Sequence, residues 1–84
     1  MIDKDIVKLI LEIEELALNI STITEHDIFF NYSGHVKKIE VGYCEHGWTK
    51  DKKIINILDI FLDISEDPEK ELINAKEFLK NLLI

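Results

Sequence analysis

Two stretches with the apolar period of a helix enclose a stretch with the period of a strand, and this order limits the folds open to the chain. In residues 3–21 apolar side chains recur at the i, i+3, i+4, i+7 spacing of one helix face, and Asp3 is placed to cap the first amides. Near the other end a second apolar stripe follows Asp67 and Pro68, a pair typical of an N-cap and a first helical residue. We therefore predict a helix at each end.

The central stretch predicts a β-hairpin. Between residues 27 and 43 apolar and polar side chains alternate, as on a strand with one buried face. Gly34 and His35 suit a two-residue type II′ turn, which would pair Phe30 with Ile39. A turn one residue earlier would slide the pairing by two residues, so the same faces would stay together.

Residues 53–64 fit both a helix and a strand. We predict a strand, because a helix here would be apolar around most of its circumference and isoleucine and phenylalanine favour extended backbone. This choice places Ile55, Ile57 and Phe61 on the outer face of the sheet, where Phe29 of the first strand joins them.

These elements predict a single α+β domain over residues 1–84, a two-layer sandwich with the order α-β-β-β-α. Both helices would cover one face of a three-stranded antiparallel meander. The four large apolar side chains of the other face predict a dimer or partner interface. Val7, Leu11 and Leu18 form a second stripe on the first helix. They either pack between the sheet and the other helix or line a partner surface.

The charge of the chain favours a cationic partner. Seventeen carboxylates against ten lysines, with no arginine, give a net charge of −7. Residues 23–53 carry five acids and five lysines, so the excess lies on the two flanking segments, residues 1–22 and 54–84. Arginine is the residue best suited to phosphate, and its absence argues against a nucleic-acid surface. The predicted acidic partner surface comprises Glu12, Glu15, Glu66, Asp67, Glu69 and Glu71.

The histidines and the single cysteine raise the alternative of a metal-dependent or Cys/His-dependent hydrolase. His26, Cys44 and His46 are close in sequence or across the hairpin, whereas His35 at the turn would lie roughly 25 Å away. The pairing separates His26 from Cys44, and no oxyanion-hole motif is present. We predict no catalytic residue, metal or cofactor here, and we expect Trp48 to close one end of the core.

Another alternative is a small nucleic-acid-binding accessory protein. Its surface would combine hairpin and loop lysines with aromatic side chains that stack on bases. The net charge makes nucleic acid a less favoured partner than protein. The residues concerned are Lys37, Lys38, Lys50, Lys52 and Lys53, with Tyr32, Tyr43 and Trp48.

A cytoplasmic location is expected, because one cysteine cannot form an internal disulfide and no apolar run has the length of a signal or membrane segment. The same reasoning predicts no membrane partner.

The run Phe-Phe-Asn-Tyr-Ser-Gly-His-Val-Lys-Lys-Ile-Glu-Val, followed by His-Gly-Trp, an isoleucine-rich strand and an acidic helix, resembles small uncharacterised proteins of phages and prophages of Gram-positive bacteria. The resemblance covers residues 29–62. In layout, size and acidity the chain is also similar to some phage anti-CRISPR proteins. These resemblances imply a non-enzymatic inhibitor of a host or defence complex, but they carry over no site residues.

Overall fold

The computed structural model describes residues 3–83 and confirms the α-β-β-β-α order. The elements are α1 (Lys4–Ile23), β1 (Asp27–Ser33), β2 (Lys38–Cys44), β3 (Ile55–Phe61) and α2 (Pro68–Asn81). The strands form one antiparallel sheet in the order β1-β2-β3. Residues 53–64 therefore contain the predicted strand and not a third helix.

Side-chain caps define where both helices begin. The carboxylates of Asp3 and Asp67 accept hydrogen bonds from backbone amides of the first turns, at 2.7 and 3.1 Å. The first helix runs to Ile23, beyond the predicted end at residue 21. It ends where the amide of Thr24 donates to the carbonyl of Ile20 at 3.0 Å. Neither helix within residues 3–83 is both long and apolar enough to cross a membrane.

The core lies between the two helices and one face of the sheet. Among the strands, the central strand β2 contributes most to it, because both of its neighbours shield it from solvent. Side chains of α1, β2 and α2 are fully buried there and form one apolar cluster. The members with no solvent exposure are Ile13, Ile20, Ile39, Val41, Leu72 and Leu79.

The hairpin keeps the predicted faces but not the predicted register. Phe30 opposes Val41 and not Ile39, a shift of two residues along β2. A type II′ turn requires a positive φ at its first loop residue, and Gly34 does not have one. The loop instead spans residues 34–37 and places Lys37 in the left-handed region, with φ 51°.

A β-bulge between β2 and β3 changes the predicted outer face. Val41 opposes Leu58, but Gly42 opposes Asn56, so Ile57 is an extra residue without a partner. The prediction from the period-two pattern required an uninterrupted strand. The bulge reverses the alternation of side chains for the residues that precede Leu58. The placement of Ile57 on the outer face was therefore wrong, since this half-buried side chain packs against the core.

The bulge also moves Ile55. This residue opposes Tyr43, whose side chain is buried on the helix side of the sheet, so the prediction that Ile55 faces outward was wrong as well. Ile54 takes its place and lies against Gly42 on the outer face, near Phe29. Of the four predicted interface residues, only Phe29 and Phe61 keep the predicted orientation.

Candidate functional site

The outer face of the sheet is polar at its centre. Phe29 lies on β1 near one end of the face, and Phe61 lies on β3 near the other. Between them the ammonium group of Lys38 is 3.4 Å from a carboxylate oxygen of Asp59 and 3.9 Å from one of Glu40. Since these charges separate the two rings, the face does not form the continuous apolar patch expected from the sequence.

Phe61 instead borders a groove between β3 and the beginning of α2, which we call the acidic groove. Its apolar lining includes Ile64, whose side chain is 75% exposed, and Phe61, which is 38% exposed. Four carboxylates share this lining with a single cation, Lys70. The charged and apolar side chains of the groove are Asp59, Ile60, Phe61, Ile64, Glu66, Asp67, Lys70 and Glu71.

Three of these carboxylates already have partners inside the protein. Asp59 pairs with Lys38, Asp67 caps α2, and Glu71 accepts a hydrogen bond from the hydroxyl of Ser65 at 2.7 Å. Glu66 makes no ion pair with any residue between 3 and 83. Because all four carboxylates are exposed, the groove keeps an excess of negative charge at its surface.

The structure therefore divides the predicted acidic surface. Glu66, Asp67 and Glu71 line the groove together with Phe61. Three residues of the predicted acidic surface therefore lie beside one residue of the predicted apolar interface. Glu69 lies in the same first turn of α2 but outside the lining of the groove.

The two remaining acids of the set, Glu12 and Glu15, belong to α1. Glu15 is exposed, whereas a carboxylate oxygen of Glu12 lies 2.9 Å from the ammonium group of Lys76 on α2. The hydrogen bond from Lys76 holds the pKa of the Glu12 carboxyl below its ordinary value, against a smaller effect of desolvation. Glu12 therefore joins the two helices and is not free to bind a partner in the way the prediction required.

The histidines hold a tight loop at the end of the hairpin. The Nδ1 atom of His26 accepts a hydrogen bond from the amide of His46 at 3.1 Å, and the His26 ring lies edge-on to Tyr43. The ring of His46 pairs in turn with the carboxylate of Glu25. His46 and Gly47 both have positive φ, at 58° and 92°. These contacts explain the histidines as loop-forming residues; within residues 3–83 no three possible ligands cluster as a metal site requires.

Cys44 and Trp48 complete this loop. The Cys44 thiol is 1% exposed and donates to the carbonyl of Gly47 at 3.5 Å, so it does not face a solvent-filled pocket. The backbone amide of Trp48 donates to the Asp27 carboxylate at 2.7 Å, while the residue is 53% exposed. The expectation that Trp48 closes the core was therefore wrong. A hydrogen bond holds its backbone in place, but the residue is too exposed to cover the core. The exposed His35 lies apart from this loop, in the hairpin turn.

The lysines of the nucleic-acid alternative do not form one basic surface. The ammonium group of Lys37 lies 3.6 Å from Asp63, Lys38 pairs with Asp59, and that of Lys52 donates to a backbone carbonyl at 2.7 Å. Lys50 and Lys53 are exposed. Tyr43 is unavailable for stacking on a base because it is buried, and desolvation raises the pKa of its hydroxyl.

The second stripe of α1 is exposed beside the sheet edge. Val7, Leu11 and Leu18 are 43, 59 and 65% exposed, which excludes the interpretation that they pack between the sheet and the other helix. Val7 and Leu11 line an apolar depression with Tyr32 of β1. We call these four side chains, together with the open edge of β1, the α1–β1 surface.

The sequence marked three of these residues but did not show that they adjoin an open strand. The spacing of the apolar residues predicts the stripe on the helix. Its position next to the edge of β1 depends on which part of the sheet α1 covers. That placement follows from packing, and no local sequence signal encodes it.

Comparison with protein-family models, with curated proteins and with solved structures gives no match to this chain. The fold and the surfaces therefore define its class by themselves. It is a small two-layer α+β domain with an acidic groove at one sheet edge and an apolar surface at the other.

Proposed function

We propose that this protein is a non-enzymatic interaction protein whose acidic groove binds a basic segment of a partner protein. The observation that carries the proposal is the meeting of an exposed apolar lining, Phe61 and Ile64, with four carboxylates and one lysine in a single groove. Apolar anchors supply affinity, whereas complementary charge supplies association rate and specificity. A segment that alternates lysine or arginine with a large apolar residue fits both parts.

The proposal extends to the kind of partner. Proteins that bind nucleic acids present basic surfaces, and an acidic groove on a small domain would occupy such a surface. A phage-type inhibitor of a host or CRISPR-type defence complex, as the resemblance implies, would act in this way. In the same proposal the protein works as a homodimer in the cytoplasm.

Peptide binding tests the groove directly. The probes are labelled synthetic peptides in which leucine alternates with lysine, compared with peptides in which glutamate replaces lysine. We expect fluorescence anisotropy to detect binding of the lysine peptides alone, with weaker binding as salt rises, because salt screens exposed charges.

Two substitutions with the same change of net charge locate the binding site. Glu66→Lys reverses a charge inside the groove, whereas Glu69→Lys reverses one beside it on the first turn of α2. We expect the first to weaken peptide binding about tenfold and the second to leave it within about twofold. Equal effects of the two variants, or no preference for the basic peptides, would contradict the proposal.

A further inference from the structure

The edge of β1 that faces away from β2 carries hydrogen-bonding groups without a strand to receive them. The amide of Ile28 points to this edge, since it donates to the hydroxyl of Ser21 on α1 at 3.1 Å. Successive amides of a strand point to opposite sides, so the amides and carbonyls of Phe30 and Tyr32 also face the open edge. One edge amide is thus capped from within the chain, and no residue between 3 and 83 caps the next two positions.

Beyond the Ser21 cap, the sequence of this edge lacks the residues that usually prevent strand pairing. Natural edge strands are protected by lysine, proline, inward charges or bulges. Residues Asp27–Ser33 contain neither lysine nor proline, and their one charge, Asp27, is the first residue of the strand. The opposite edge strand, β3, has both a charge within it, at Asp59, and the bulge at Ile57.

The α1–β1 surface continues this edge with apolar side chains. The exposed fractions of Val7, Leu11, Leu18 and Tyr32 add up to about the surface of two whole large side chains. Together with a strand edge, this area corresponds to an interface at the small end of the range for specific complexes.

The structure assigns this surface to a second copy of the chain, which pairs through antiparallel β1 strands into one six-stranded sheet. A two-fold axis between Phe30 and Tyr32 sets Phe30 of each copy opposite Tyr32 of the other, so the open amides and carbonyls satisfy each other reciprocally. The pairing leaves out Ile28, whose amide already has Ser21 as its acceptor.

Charge favours the same occupant. Two depressions between α1 and β1 lie along this surface, and Glu14 is the single charged residue in their described linings, so a basic partner would find little to bind there. A second copy meets depressions with little charge in their linings, even though each chain carries a net charge of −7. Salt should therefore strengthen this association slightly or leave it unchanged, because it screens the long-range repulsion between copies. The inference rests on the proposed self-association and not on the acidic groove.

Sedimentation equilibrium of the full chain tests the interface with two matched variants. Leu11→Lys and Ile55→Lys change residues that are 59 and 58% exposed, and both add one positive charge. Only Leu11 belongs to the α1–β1 surface. We expect Leu11→Lys to raise the dimer dissociation constant at least about tenfold and Ile55→Lys to change it less than about twofold.

Amide hydrogen exchange supplies a second measurement that depends on strand pairing alone. The amides of Phe30 and Tyr32 should become more protected as the protein concentration rises through the dissociation constant. A chain that stays monomeric at about millimolar concentration would overturn both the dimer and this interface. A dimer that Ile55→Lys or Phe29→Lys disrupts and Leu11→Lys does not, or one without protection of the two amides, would overturn the interface alone.

Discussion

Replacing Gly42 by alanine should destabilise the fold through one identifiable overlap. A methyl group at residue 42 would overlap the Cγ2 atom of Ile54, while Phe29 would stay at an ordinary distance of 3.7 Å. Ile54 is branched at Cβ and turns stiffly, although its 44% exposure leaves it room to shift. Overpacking of this kind costs about 1–3 kcal/mol, and removing a glycine from a strand recovers about 0.5–1 kcal/mol. The net loss expected is about 1–2 kcal/mol.

A double-mutant cycle isolates the overlap from other effects of the substitution. In the Ile54→Ala background the new methyl group would have as neighbours the Cβ atom of residue 54, at 3.9 Å, and Phe29. Gly42→Ala should then be neutral or stabilising, which gives a coupling free energy of about 2 kcal/mol.

Urea unfolding followed by far-ultraviolet circular dichroism measures all four proteins of the cycle. Gly34→Ala is the matched control, because its methyl group would lie 3.8 Å from the nearest atom, on Tyr32, and φ there is not positive. We expect this control to change the free energy of unfolding by less than about 1 kcal/mol. If Gly42→Ala lowers the free energy of unfolding equally with and without the Ile54 side chain, the explanation by overlap is refuted.

Further measurements test the helices and the buried thiol. Lys76→Met should return the pKa of Glu12 towards its ordinary value of 4.5, which a nuclear magnetic resonance titration would show. Because the folded pKa is lowered, the pair stabilises the fold above that value and loses this contribution as the pH falls through the folded pKa. Urea unfolding should therefore show that the free energy of unfolding decreases more between about pH 6 and about pH 3 in the wild type than in the variant. Equal decreases in the two proteins would contradict the pairing. Asp67→Ala should remove the cap of α2 and lower the free energy of unfolding by about 0.5–2 kcal/mol, measured by thermal melting; an unchanged melt would mean that the cap contributes nothing. Cys44 should react with a thiol reagent at the rate of unfolding, as its 1% exposure requires, and immediate reaction in the native protein would contradict its burial.

The fold could be predicted from the sequence because local and global signals agree along most of the chain. The caps Asp3 and Asp67, the two helical stripes and the alternation of the hairpin all indicate the same two-layer arrangement. The length of the first helix, in contrast, was underestimated at its end, where Ile23 precedes the Thr24 cap. Helix ends depend on single hydrogen bonds and are therefore less predictable than the existence of the helix.

The candidate site was predicted only in part, and the bulge is the physical reason. One unpaired residue, Ile57, reverses the alternation beyond it, so Ile55 and Ile57 leave the outer face while Ile54 reaches it. A bulge follows from strand pairing and tertiary packing, which no period-two count contains. Similarly, the acidic residues at the beginning of α2 are adjacent in the sequence, but the convergence of three of them with Phe61 depends on the path of residues 62–67.

The two proposed surfaces lie at opposite edges of the sheet, and this arrangement has a consequence for binding. Since the strand order is β1-β2-β3, pairing through β1 leaves the acidic groove beside β3 free in each copy. A six-stranded sheet would then present two grooves at its outer edges, roughly 25 Å apart at the usual strand spacing. A partner with two basic segments at that separation would gain affinity by binding both, by a factor of about 10²–10⁴. Leu11→Lys should therefore leave binding of a single peptide unchanged while weakening binding of a tandem peptide whose linker spans the two grooves.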